Sequence, residues 1–129
     1  MRSRHVSLVI ARSPADVYAF AADPDNLPRW AAGLAQSEVR RDGDRLVARS
    51  PMGEVTFTFA PRNEYGVLDH DVTLPSGAVV SNPLRVLAHP EGAEVVFTLR
   101  QLDLSEDAFE RDAAMVRADL ERLRSLLEG

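Results

Sequence analysis

Apolar and polar positions alternate from Arg4 to Arg12: Val6, Leu8 and Ile10 fall on one side, and His5, Ser7 and Val9 on the other. That period of two predicts a strand with one buried face. Ser13-Pro14-Ala15-Asp16 follows with a capping hydroxyl, a proline suited to the first helical position and a carboxylate three residues after the cap. A short helix carrying Val17, Tyr18, Phe20 and Ala21 is expected there. Pro24 and Pro28 interrupt it, so Asp25 to Ala32, with Leu27 and Trp30, reads as a second short helix. After Gly33 the period of two returns. Strands are expected over Ser37 to Arg41, Arg45 to Ser50, Glu54 to Ala60, Val67 to Leu74, Ala78 to Leu87 and Ala93 to Gln101. The turns between them are Asp42-Gly43-Asp44, Pro51 to Gly53, Gly66, Pro75-Ser76-Gly77 and His89-Pro90-Glu91-Gly92. Pro83 cannot donate to a ladder, so a bulge, an edge or a bend is expected within the penultimate strand.

The last segment changes period. Ser105 caps it, Glu106 and Asp107 supply early negative charge, and Phe109, Val116, Leu120, Leu123 and Leu127 recur at helical spacing. Ala108, Met115 and Leu126 are expected to widen that stripe, with Arg111, Arg117, Arg122 and Arg124 on the solvated side. A long helix with one apolar stripe must bury it, and the sheet offers the only large apolar surface. An α+β fold follows, with a curved antiparallel sheet of about seven strands wrapped around the terminal helix and two short helices between strands one and two. A twisted sheet does not seat flush along a straight helix, so a cavity between them is expected.

The chain of 129 residues fits one domain spanning 1–129. Composition then narrows the chemistry. Fifteen basic against twenty acidic residues give a net charge of -5, which disfavours a nucleic acid partner. No apolar run is long enough to span a bilayer, and the brief one after Arg2 and Arg4 is unlike a signal-peptide core, so a cytoplasmic protein is expected. Cysteine is absent, which removes thiol catalysis, disulfides and cysteine metal sites. Every basic residue is arginine, which removes Schiff-base chemistry and a phosphate-loop lysine. The seven glycines are scattered, and His5, His70 and His89 lack metal-ligand spacing. No cofactor and no metal are expected.

Four segments carry a resemblance: Val-Tyr-Ala-Phe-Ala-Ala-Asp-Pro-Asp-Asn-Leu-Pro-Arg-Trp at 17–30, Leu-Asp-His-Asp-Val-Thr-Leu-Pro-Ser-Gly at 68–77, Asn-Pro-Leu-Arg-Val at 82–86, and the terminal helix. Together they resemble polyketide cyclase/dehydrase-like proteins of the START-like (SRPBCC) superfamily. The resemblance implies the helix-grip fold of the birch pollen allergen. Relatives include lipid and hormone carriers, aromatase/cyclases and chaperone-activator homologues, so it implies three functions. The first is binding of a small apolar or amphipathic ligand between sheet and terminal helix. The second is a cyclase/dehydrase-like enzyme, and the third a protein-interaction module using the acidic helix surface or a strand edge. A homodimer is compatible with the last.

Individual residues sort by parity. His70 shares a side with Leu68, Val72 and Leu74, so it points inward if that side faces the cavity, where it is the candidate catalytic group for proton transfer. A backbone carbonyl satisfying a core histidine is the structural alternative. Asp69 and Asp71 fall on the opposite, solvated face. Tyr18, Trp30, Phe57, Phe59, Phe97 and Met115, with Met52, are candidates to line a pocket or to fill it. Asn82 is a candidate donor to a ligand carbonyl or a satisfier of the broken ladder. Arg85, like Arg49 and Arg100, is a candidate to hold a carboxylate or enolate, or an outer-face charge.

Overall fold

In a computed structural model of the chain, residues 1–31, 39–50 and 53–129 are described. The elements are β1 (Ser3–Ile10), α1 (Pro14–Ala22), α2 (Leu27–Trp30), β2 (Val39–Asp42), β3 (Arg45–Ser50), β4 (Gly53–Phe59), β5 (His70–Thr73), β6 (Val79–Asn82), β7 (Leu84–His89), β8 (Gly92–Arg100) and α3 (Glu106–Glu128). All strand pairs are antiparallel. They form a three-stranded sheet ordered β1-β8-β7 and a five-stranded sheet ordered β2-β3-β4-β5-β6. The expected end of the second helix at Ala32, the expected start of the second strand at Ser37, and Pro51 and Met52 of the expected turn lie outside the described residues.

Helices α1 and α3 begin as their sequences require. Ser13 Oγ accepts from the Asp16 amide at 3.1 Å, and Ser105 Oγ from the Ala108 amide at 3.2 Å. The α3 stripe buries Phe109, Ala113, Leu120, Leu123 and Leu127, and it packs chiefly on β1 and α2. Arg4 of β1 and Arg2 just before it fasten the helix from its flank. Arg4 forms a two-pronged pair with Glu110 at 2.5 and 2.6 Å, and Arg2 pairs with Glu106. Burial of the stripe supplies most of the attachment, because pairs this exposed each contribute at most about 1 kcal/mol.

The strand count is eight rather than about seven, because the expected strand over Ala78 to Leu87 is broken at Pro83. Residues before the break pair with β5, whereas Leu84 onward pairs with β8. The preceding strand is broken at the same level. Val67 bridges Arg85, and the Leu68 amide donates to the Leu84 carbonyl at 2.8 Å, while His70 onward belongs to the other sheet. Asp69 occupies the break: its Oδ1 accepts from the Leu84 amide at 2.9 Å and from Arg85 Nε at 2.8 Å, and its Oδ2 from an Arg85 terminal nitrogen at 2.6 Å. The carboxylate thus takes the place of a ladder that proline interrupts.

Gly66 allows the segment before that break to lie against β7. Its φ is +73°, and a Cβ there would stand 2.2 Å from the Val86 carbonyl oxygen. At Gly77 φ is +91°, but nothing lies within 4 Å of a Cβ. Gly66→Ala should therefore destabilise the protein by about 2 kcal/mol or more, and Gly77→Ala by about 1 kcal/mol. Urea denaturation of the two variants checks the difference.

Candidate functional site

Side chains on the inner face of the five-stranded sheet form two rows fixed by register. Phe59, His70 and Asn82 stand opposite one another across β4, β5 and β6; Leu46, Phe57, Val72 and Val80 form the next row across β3 to β6. Leu46 is buried, but the other six are only half-buried. By contrast, Val6, Ile10, Leu84, Val86, Ala93 and Val95 on the inner face of the three-stranded sheet are buried, while Leu8 and Phe97 there are half-buried. The difference follows from where α3 lies: it covers β1 and reaches β8.

His70 is the polar centre of the half-buried face. Its ring lies 4.8 Å from Phe59 and 5.8 Å, edge-on, from Phe97 of β8, so it joins the two sheets on their inner side. Nδ1 is 3.0 Å from the Leu68 carbonyl oxygen, which can only accept, so Nδ1 carries the proton. Nε2 of the neutral ring is then an acceptor, without a hydrogen-bond partner among the described residues. Burial pushes the imidazole pKa below its ordinary value, outweighing the Leu68 contact and the nearby carboxylates of Asp69 and Asp71. The parity reading of His70 as inward is thus observed, together with the carbonyl contact that the structural alternative required. The side-chain amide of Asn82 faces the same interior and makes no hydrogen bond to a described residue, so it does not satisfy the broken ladder.

Tyr18 and Phe59 come together at the α1 end of this face. With Ala22, Ala60, Arg62 and Leu68 they line a cavity of about 110 Å³. The Tyr18 ring is buried, and its hydroxyl accepts from the Asn63 amide at 3.1 Å. Trp30 is also buried in the core, near the contact of α2 with α3. Arg122 Nε donates to its carbonyl at 3.2 Å, but its indole N–H has no partner among the described residues.

Two expected lining residues point elsewhere. Arg85 lies between buried Leu84 and Val86 on β7, so parity turns it outward, where Asp69 holds it. Met115 is 53% exposed: it lies two residues beyond Ala113, about 200° around α3 at 3.6 residues per turn, on the side away from β1. Being apolar did not place it in the stripe. Arg49 and Arg100 are exposed as well. Asp69 is on the outer face as expected, but it is a bonded junction residue rather than a solvated one, and Arg85 holds its pKa below the usual carboxylate value. Sequence reasoning did not single out Arg62 or Asn63. The available signal was Asn63-Glu64-Tyr65-Gly66, a tract whose Asn and Gly favour a fixed turn. Among the described residues no group of three or more potential metal ligands occurs, and no helix is long and apolar enough to cross a membrane.

Two antiparallel sheets, a long terminal helix and two short helices after β1 define a helix-grip protein of START-like type. The family described as polyketide cyclase/dehydrase and lipid transport matches residues 1–128, and the chain belongs to it. No curated protein matches the chain. Among solved structures it is similar to a protein of Chromobacterium violaceum, at 13% identity and TM-score 0.75, covering 100% of this chain and 99% of that one. It is similar to the protein XoxI of Bacillus cereus at 16% identity and TM-score 0.74, covering 98% and 96%. It also resembles Ara h 8.0201 at 12% identity and TM-score 0.68, covering 98% and 97%. At such identities the structural likeness shows the fold alone.

The lowered pKa of His70 has a defined sign in stability. The unfolded chain binds the proton first as pH falls below the ordinary value of 6.5, so the folded state loses stability from there down to the folded pKa. The loss is at most about 1.4 kcal/mol per pH unit. Asp69, Glu106 and Glu110 have lowered pKa values, so the stability they contribute is lost only at pH below the usual carboxylate range. His70→Phe should abolish the decline that sets in below about pH 6.5 and leave the acid one. Urea midpoints across that range measure it.

Proposed function

We propose that the protein binds one small hydrophobic or amphipathic molecule in the concave space between the five-stranded sheet and helices α1 and α3. The observation that carries this reading is the run of inward aromatic residues left half-buried, Phe57, Phe59 and Phe97, around His70. Apolar surface of this kind gains about 25 cal/mol for each Å² that a guest removes from water. Few polar groups face the space, which is the usual economy of a small-molecule site. Asn82 and His70 Nε2 are the polar groups that face it, and Tyr18 stands at its α1 end. Membership of a family described by cyclase/dehydrase chemistry and lipid transport supports the same reading.

A second reading is supported by the free Nε2 of a neutral His70: proton transfer to or from a bound enol or carbonyl, as in a cyclase/dehydrase. His70→Gln separates the two. Under catalysis, turnover of a poly-β-ketone substrate mimic is lost while occupancy persists. Under simple binding there is no turnover to lose, and affinity changes modestly.

Native mass spectrometry of gently purified protein should show a mass adduct, and a titration with anilinonaphthalene sulfonate, read through Trp30, should saturate at one equivalent. Phe59→Ala should weaken that binding by about tenfold. Thr58→Ala, altering the exposed neighbour on the outer face, should leave it unchanged. Absence of saturable binding would overturn the proposal.

A further inference from the structure

The small cavity beside Phe59 shares two of its walls, Tyr18 and Arg62, with a larger outer groove of about 710 Å³. That groove runs between the start of α1 and the loop that follows β4, with Pro14, Tyr65 and Val86 among its apolar walls. At about 110 Å³ the inner space is well below the roughly 300 Å³ of a typical small-molecule site, so it accommodates only one end of a guest. The remainder of such a molecule must lie in the groove, and it must pass Arg62.

Arg62 is suited to meet it. Its guanidinium lies 5.5 Å from the centre of the Tyr18 ring, is exposed, and has no carboxylate partner among the described residues. Glu64 also lines the groove but makes no ion pair with it. Arg4 and Arg85, in contrast, are both engaged by carboxylates. The loop that presents Arg62 is fixed rather than free. Asn63 Nδ2 donates to the Pro61 and Val67 carbonyls at 2.9 Å, and Asn63 Oδ1 accepts from the Tyr65 and Val67 amides at 3.0 and 3.1 Å. The same loop holds the Tyr65 ring 82% exposed beside the groove. A positioned planar cation at the mouth of an apolar pit matches a carboxylate carried on an apolar chain.

We propose that Arg62 binds the carboxylate of an amphipathic ligand whose apolar end enters between Tyr18 and Phe59. This rests on the ligand-binding reading above and adds the ligand's charge, its orientation and its door. The chain end lies against Phe59, Ala22 and Leu68; the head stays in the groove, where water and Arg62 solvate it.

Decanoate and decanol, which share a chain and differ in head group, test the assignment on the full chain. Binding is read from Trp30 emission and confirmed by calorimetry near neutral pH. The native protein is expected to bind decanoate about tenfold more tightly than decanol. Arg62→Gln should bring the two affinities to within about twofold of each other, and Arg62→Lys should restore part of the preference. Circular dichroism shows that each variant is folded. Decanol binding with no preference for decanoate, or a preference that survives Arg62→Gln, overturns the role of Arg62 but leaves the binding function standing. Failure of the native protein to bind either compound overturns both.

Discussion

Proline at position 83 has no amide hydrogen, so no strand running through it keeps an unbroken ladder on that side. The fold answers with a second interruption at Asp69 in the neighbouring strand, whose carboxylate receives the Leu84 amide and the Arg85 guanidinium. Both strands change sheets at one level, and one acidic side chain satisfies the groups freed there. The curvature of the molecule is set at that point. Were the two strands continuous, the wall would be flatter, and the inner faces of its two parts would not meet across His70 and Phe97.

The site inherits its geometry from this junction. His70 follows directly after Asp69, so the residue that anchors the break outside fixes the backbone that aims the imidazole inside. Its ring lies between Phe59 of one sheet and Phe97 of the other. The helix that shields the interior is bound to β1, the strand furthest in the three-stranded sheet from the break. Coverage is therefore uneven, fuller over the three-stranded sheet than over the aromatics of β4. The asymmetry that leaves the aromatics of β4 half-buried comes from the same pairing that secures α3.

Much of this was legible in local patterns. Period and caps located α1 and α3, the parity of 68–74 put His70 inside and Asp69 outside, and Pro83 marked an interruption. What could not be read depends on partners distant in sequence. Asp69 looks like a solvated strand carboxylate until Leu84 and Arg85 are beside it, and Arg62 is an ordinary loop charge until the fold brings it over Tyr18, far back in α1. Met115 shows a different limit: an apolar side chain on an amphipathic helix is placed by its angle about the axis, and composition alone widened the stripe too far. Arg85 was ambiguous between two faces, and the buried residues on each side of it decide the matter.

The register of β1 carries one more implication. Ser3 pairs with Arg100, and Arg2 and Arg4 reach Glu106 and Glu110, so the earliest strand finds its lateral neighbour and its covering helix only in the last third of the chain. On a ribosome, β1 emerges long before either exists. Closure of so long a loop is entropically expensive and delays the non-local contacts that reward it. During that interval the alternating Val6, Leu8 and Ile10 lack their final shelter, and the unpaired strand is the part of the folding chain most open to aggregation.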